Sequence, residues 1–228
     1  MAIKIGHASS DEERKAHGGK AGDQTGGEVC IREWYPSPWD TVLRFKDAAK
    51  AEKAAKAMEA ACANDNIGYD QYQRNTLLAK AEAVEFDLAK VDEPCETDCS
   101  ALVSVCAQAA GIDIPYTSGN APWTGIMAAQ FMSTGEFEEL REAKYLTTDA
   151  HLKRGDILLR TSGHTAMALE NGAETKQNIP SEWFEEDVDW AKANGIMLGD
   201  TNGNLRLKDY VTREEMTAFM HRLWDMLR

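Results

Sequence analysis

The sequence predicts an α+β domain followed by a small helical domain. In the first part, helix-forming segments rich in Ala, Lys and Glu precede a cysteine at the start of an apolar helix, and two short strands come after it. A passage with Gly, Thr, Gln, Asn and Pro then leads to two amphipathic segments. We therefore expect residues 1–172 to form a domain with a helix packed on an antiparallel sheet, 173–181 a linker, and 182–228 the helical domain.

Composition and charge exclude several classes of protein. The chain has 228 residues, of which 43% are hydrophobic, so it can fold around a packed core. Its formal net charge is -13 and its basic residues form no stripe, so we expect no nucleic-acid partner. It shows neither a signal-peptide pattern nor a long apolar run, which predicts cytoplasmic synthesis and no membrane insertion. Five scattered cysteines do not suggest a disulfide framework.

Most other segments of the first domain are predicted as helices. A short strand after residue 3 and a strand at 29–35 flank a polar, glycine-rich passage, which we expect to be a structured loop. The segments predicted to be helical, the first of them on the surface, are 41–63, 69–84, 125–135 and 136–146.

A candidate nucleophile lies at the start of the apolar helix. Thr97 or Asp98 can cap its first turn, Cys99 falls within that turn, and Gly111 can end the helix. Unpaired backbone N–H groups and the positive end of the helix dipole favour thiolate over thiol at such a position. We therefore expect Cys99 to act as a nucleophile.

A candidate base follows later in the chain. Residues 157–160 and 164–169 are predicted strands joined by a turn, and His164 opens the second strand. A cysteine at a helix start and a histidine at a strand start can meet only in the folded protein. Together they predict acyl transfer through an acyl-enzyme, with Cys99 attacking an amide carbonyl and His164 moving the proton.

These motifs resemble those of a known family. Asp98-Cys99-Ser100, Gly155-Asp156 and Gly163-His164 resemble the papain-like peptidoglycan hydrolases of the NlpC type. More broadly, residues 3–172 are similar to cell-wall hydrolases encoded by phages and prophages of Gram-positive bacteria. That similarity rests on the stretches 5–8, 22–26, 66–71 and 163–165. The resemblance implies a papain-like cysteine hydrolase, either an endopeptidase or an N-acetylmuramoyl-L-alanine amidase.

The resemblance also suggests roles for several polar residues. A third group should orient the imidazole, and Asn171 is our candidate. Asp98 and Ser100 would receive the free amine of a stem peptide, with helix capping as the alternative. Tyr69 would direct its hydroxyl into the cleft, with aromatic packing as the alternative. Independently of the resemblance, Gln24 on the glycine-rich loop is a candidate for lining the cleft.

A zinc site is the main chemical alternative for the cysteine. Cys95, Cys99 and His164 could supply three ligands, but Cys-x3-Cys with one distant histidine matches zinc-site spacing poorly. We therefore predict neither a metal nor a cofactor.

The C-terminal part resembles an S-layer homology motif. The resemblance rests on Trp190 to Ile196, on a Gly-Asp-x-Asn-Gly loop, and on a capping box from Thr212 to Glu215 that starts the last helix, whose Met216 and Met220 we expect to point inward. The loop is not an EF-hand, because its sixth residue is a leucine where glycine is required.

Such motifs anchor proteins to polysaccharides of Gram-positive walls, usually as three copies. The single motif in this chain raises the hypothesis of a homotrimer. We expect Arg213 to contact the anionic polymer and Trp190 to contact either sugar or the core.

The combined prediction is a cell-wall lysin that acts at the wall after release, with peptidoglycan and a secondary wall polymer as partners. A non-catalytic wall-binding protein, and an acyltransferase or transpeptidase on the same scaffold, are the alternatives.

Overall fold

The computed structural model describes residues 2–174, 180–199 and 204–226. The chain forms two compact units, Met1–Gly172 and Ala173–Arg228. Residues 175–179 of the predicted linker and 200–203 of the predicted loop lie outside the described residues. In the ranges that are described, no helix combines the length and the apolar character needed to cross a membrane.

Eight strands and five helices make up the described part of the first unit. The strands are β1 Lys4–Ala8, β2 Val29–Glu33, β3 Thr41–Phe45, β4 Ile67–Tyr69, β5 Cys95–Thr97, β6 Phe137–Leu140, β7 Ile157–Arg160 and β8 His164–Ala168. The helices are α1 Ala48–Cys62, α2 Thr76–Ala83, α3 Cys99–Ala109, α4 Met127–Ser133 and α5 Ala143–Leu146, with a 3-10 turn at Leu88–Lys90.

Six of the strands form one antiparallel sheet in the order β2-β1-β8-β7-β3-β6. The first strand of the chain, β1, therefore lies beside β8, the strand that His164 opens. The remaining strands, β4 and β5, pair in parallel. The combination of helices with an antiparallel sheet confirms the prediction of a domain that contains both.

Helix α3 is the central buried helix of this unit. The Asp98 side chain caps it by accepting the N–H of Ala101, and Gly111 follows its end with a φ of 83°, as predicted. Residues 99–107 of the helix are all buried, and α3 packs against α1, β1 and β8. Burial on all sides fixes the position of the helix start, where Cys99 lies.

Two helical predictions are wrong. Residues 41–45 form a fully buried strand between β7 and β6, and α1 begins only at Ala48. Residues 137–140 form the edge strand β6, and only 143–146 are helical. The strand partners are distant in sequence, so sheet pairing overrides the local helical preference. Helix α1 lies at the surface as predicted, with its alanine face against the core and Lys53 and Lys56 exposed.

The segment predicted as a helix at 69–84 begins instead with a strand. Strand β4 ends at Tyr69, and helix α2 begins at Thr76. A Cβ on Gly68 would lie 2.4 Å from the carbonyl oxygen of Gly22, so the glycine-rich loop crosses directly over β4. Only glycine permits this close approach of two backbones.

The second unit contains a 3-10 turn at Glu182–Phe184 and the helices α6 Glu185–Ala193 and α7 Arg213–Met226. The predicted capping box is confirmed, because Thr212 and Glu215 bond reciprocally to each other's backbone N–H at 3.1 and 2.8 Å. The inward orientation of Met216 and Met220 is wrong, since both are exposed. Ile196 is the only buried hydrophobic side chain among the described residues of this unit.

Candidate functional site

Cys99 lies at the junction of α3 and β8. It is the first residue of α3, and 7% of its surface is exposed. The backbone N–H groups of Thr165 and Ser100 lie close enough to its sulfur to lower the pKa of the thiol. Since Thr165 directly follows His164 in β8, and α3 packs against β8, the two predicted catalytic residues belong to elements that contact each other.

The sulfur is held as a thiol, contrary to the preference predicted from the helix start. Burial, followed by the Asp98 charge, raises the pKa of Cys99 to about 12, and the N–H groups of Thr165 and Ser100 only partly oppose this. Removal from water disfavours the charged form more strongly than the helix dipole favours it. At neutral pH the resting site therefore contains a neutral thiol.

His164 faces a second histidine. Its Nε2 lies 3.0 Å from Nδ1 of His7, and the two rings meet edge to face. Burial, followed by the charges of Arg160 and Arg32, lowers the pKa of His164 to about 4. Burial, followed by His164 and Arg32, lowers the pKa of His7 to about 3. Both imidazoles are therefore neutral near pH 7, and one ring donates a hydrogen bond to the other.

Asn171 is not placed to orient His164. Its side-chain oxygen accepts the backbone N–H of Arg154 at 2.9 Å. It lies beyond the last residue of β8, at the opposite end of that strand from His164. An extended strand separates its ends by ~3.3 Å per residue, so the two side chains cannot meet. This corrects the predicted third catalytic residue.

The predicted amine-binding residues are engaged by an arginine. Asp98 Oδ1 accepts the Ala101 N–H, the Ser100 hydroxyl and Nη2 of Arg74, and its Oδ2 lies 2.7 Å from Nε of Arg74. Arg74 Nη2 also donates to Ser100 Oγ at 2.7 Å. The carboxylate is thus already charge-compensated, and its contacts support the capping alternative.

Tyr69 reaches the site through sheet pairing. In the parallel pair β4 and β5, Tyr69 lies opposite Thr97, two residues before Cys99. Burial raises the pKa of Tyr69 to about 12, and the nearby Cys99 adds to the effect, so its hydroxyl stays protonated. That hydroxyl accepts a hydrogen bond from Gln71 Nε2 at 3.0 Å. The pairing explains how a residue distant in sequence approaches the cysteine.

Gln24 belongs to the loop rather than to a cleft. Its side-chain amide donates to the carbonyl oxygens of Ala21 and Gly22, so it is used within its own turn. The neighbouring carboxylate of Asp23 accepts backbone N–H groups of the residues that follow it, from Thr25 to Val29. The structured-loop expectation fits these bonds, and a cleft role for Gln24 does not.

Sequence reasoning missed His7 and Arg74. A signal for His7 was present, because it follows Ile5 at strand spacing and is thus a polar residue on a buried face of β1. A buried polar side chain calls for a partner. The adjacency of β1 and β8, which supplies that partner, could not be read from the sequence.

No metal site appears in the part of the chain that the structure describes, where no three His, Cys, Asp or Glu side chains are grouped so that they could hold an ion.

In the second unit, Arg213 is the exposed first residue of α7 and Trp190 is a half-exposed residue of α6. Both are accessible to a ligand.

The first unit is thus an α+β domain in which Cys99 begins a buried helix and His164 begins a strand that packs against this helix. Comparison with models of protein families then identifies residues 5–175 as an endolysin-like domain and residues 176–217 as an S-layer homology domain. The chain therefore belongs to the endolysin-like domain family. Searches among curated proteins and among solved structures gave no match.

The two domains indicate two connected functions. An endolysin-like domain indicates cell-wall lysis by a peptidoglycan hydrolase. An S-layer homology domain indicates anchoring to the wall through secondary cell-wall polymers. The sequence prediction of a lytic domain joined to a wall-binding domain is confirmed at this level.

Proposed function

We propose that the first unit is a papain-like cysteine peptidoglycan hydrolase of the NlpC type and of phage or prophage origin, with Cys99 as nucleophile and His164 as base. One observation carries this assignment. The backbone N–H of Thr165, next to His164, is close enough to the sulfur of Cys99 to lower its pKa, while Nε2 of His164 is occupied by His7. Nδ1 of His164, which bonds to none of the described residues, is left for the thiol.

The proposed reaction starts from the neutral thiol of Cys99 and the neutral imidazole of His164. As the sulfur attacks an amide carbonyl of the wall peptide, the thiol proton passes to Nδ1 of His164, which returns it to the leaving amine. Water then attacks the thioester with His164 as base, releasing a carboxylic acid and the free thiol. The backbone N–H of Cys99, at the unpaired start of α3, stabilises the oxyanion.

Tyr69 completes the proposed cleft. Its protonated hydroxyl lies close enough to Cys99 for the two groups to influence each other's charge. A phenolic O–H can donate to the substrate carbonyl or to the tetrahedral oxyanion. Its role is therefore polarisation of the scissile amide rather than proton transfer.

Lysis of purified Gram-positive walls tests the assignment. We expect Cys99→Ala to abolish turbidity loss while the protein still cosediments with walls. Cys106→Ala is the matched control, since it removes a buried free thiol from the same helix away from the site. We expect this control to lyse walls at near wild-type rate. Full lysis by Cys99→Ala would refute the mechanism.

Mass spectrometry of the released muropeptides separates hydrolysis from the alternatives. In ¹⁸O water a hydrolase places the label in the new carboxyl group, whereas a transpeptidase adds an amine instead. A non-catalytic wall-binding protein releases no muropeptide. The mass of the products also distinguishes endopeptidase from amidase cleavage.

We further propose that the second unit binds the wall polymer through Arg213 and Trp190 and assembles three chains. The supporting observation is its exposed apolar surface, which includes Trp183, Phe184, Leu198, Tyr210, Met220 and Leu223. A unit this small, with one buried hydrophobic side chain among its described residues, has little core of its own there, and association would provide more. Sedimentation equilibrium at micromolar concentration should give a trimeric mass, and a monomeric mass would refute the assembly.

A further inference from the structure

His7 occupies an unusual position for a polar side chain. It lies in β1 between two fully buried residues, Gly6 being packed against Met58 and Ala8 being 0% exposed, and is itself only 3% exposed. Its strand is held on two sides, because β1 pairs with β2, where Cys30 lies opposite His7, and with β8. The ring therefore has little freedom to move away from His164.

We infer that His7 is the positioning residue of the catalytic site, which holds His164 in the one tautomer that can accept the thiol proton. This inference rests on the proposed function, because it assigns a role within the same reaction. It replaces Asn171, which is bonded to Arg154 instead.

The ability of His164 to accept a proton depends on which of the two rings holds the proton between them. Nε2 of His164 and Nδ1 of His7 share one proton across 3.0 Å. If the proton belongs to His164, its Nδ1 carries a lone pair and can act as a base. If it belongs to His7, His164 must carry its own proton on Nδ1 and cannot accept another. Only the first arrangement is competent.

Burial of His7 permits the competent arrangement. It lowers the pKa of His7 to about 3, so the ring is neutral near pH 7, and with its proton on Nε2 it has a lone pair on Nδ1. When His164 becomes an imidazolium during attack, its Nε2–H donates to this acceptor, which stabilises the charge and keeps the ring aligned. The proposed effect of His7 passes through His164, to which its ring is hydrogen-bonded.

Two substitutions at the same position test the inference. His7→Phe keeps an aromatic ring but removes the acceptor, whereas His7→Asn places an amide oxygen near the position of Nδ1. We expect His7→Phe to lower kcat for wall lysis by about 100-fold with little change in KM, since the loss affects proton transfer. We expect His7→Asn to restore at least a tenth of the wild-type kcat. His17→Phe, which changes an exposed histidine in the adjoining loop, should be neutral.

A spectroscopic readout separates positioning from a structural role. In ¹⁵N-labelled wild-type protein, the ring nitrogens of His164 should report a proton on Nε2 only. In His7→Phe, the same signals should shift towards a mixture of tautomers, and in His7→Asn they should return to the wild-type pattern. A packing defect would instead alter both variants alike.

Either measurement can overturn the inference. It is wrong if His7→Phe keeps wild-type kcat, or if the His164 tautomer does not change in either variant. If His7→Phe does not fold, His7→Leu, which also lacks the acceptor, takes its place in both measurements. These failures differ from failure of the proposed function, which would appear as wall lysis by Cys99→Ala.

Discussion

The two units of this protein differ in how their charged and apolar groups are accommodated. In Met1–Gly172 a buried, bidentate ion pair joins Arg44 to Asp156, and large apolar residues are enclosed by helices and sheet. In Ala173–Arg228 the ion pair of Arg206 with Asp209 is on the surface, and apolar side chains are exposed. A catalytic site needs a rigid framework built within its own domain, whereas an anchoring module can obtain stability from what it binds.

The largest expected effect comes from breaking the buried ion pair. Asp156→Ala leaves the Arg44 guanidinium buried and unpaired, and we expect it to lower the free energy of unfolding by about 3–5 kcal/mol. Asp209→Ala removes the corresponding partner in the second unit, where water and salt screen the charge, and we expect a loss of less than about 0.5 kcal/mol. Urea denaturation followed by tryptophan fluorescence measures both. Equal losses in the free energy of unfolding would contradict this difference between the two units.

An intermediate effect is expected from a buried acid in the first unit. Both carboxylate oxygens of Glu96 are buried without a hydrogen-bond partner. Burial, followed by the charges of Glu28, Asp70, Glu12 and Asp11, raises the pKa of Glu96 to about 8. The folded protein therefore keeps a proton that the unfolded chain has lost, so stability falls as pH rises from about 4.5 to about 8.

The substitution Glu96→Gln sharpens this prediction. It keeps the shape of the side chain but removes its titration. We expect wild type to lose on the order of 1–3 kcal/mol between pH 5 and pH 8 relative to the variant. Thermal melts across this range provide the measurement, and parallel curves for the two proteins would contradict it.

The smallest effect compares helix caps in the two units. Asp47 caps α1 by accepting the N–H groups of Ala49 and Lys50, and Thr212 caps α7 through its capping box. Replacing either with Ala should cost about 1 kcal/mol. We expect Asp47→Ala to lower the melting temperature of the first unit and Thr212→Ala only that of the second. A shift of both transitions by one substitution would show that the units unfold together.

The parts of the first domain that could be predicted were those with strong local signals. Helix α3 has an acidic cap, apolar spacing and a terminal glycine, and β7 and β8 are separated by a clear turn. Strands β3 and β6 were missed because the surrounding Lys, Glu and Ala residues suggest helix, and only pairing with distant strands stabilises the extended form. The residues of the candidate site also include some that the sequence predicts and some that it does not. Its cysteine and histidine lie at recognisable element starts, whereas Arg74 and His7 reach it through tertiary packing.

Local sequence by itself determined a capped helix that begins at Cys99, a strand that begins at His164, and a separate C-terminal motif of the wall-anchoring kind, because capping, periodicity and turn chemistry act over a few residues. The tertiary structure alone decided three other features. It placed the first strand of the chain beside β8, so that His7 rather than Asn171 faces His164. It paired β4 with β5, so that Tyr69 approaches the cysteine. It also buried the sulfur deeply enough that desolvation outweighs the helix dipole, since a charge loses its hydration only when the whole fold closes around it.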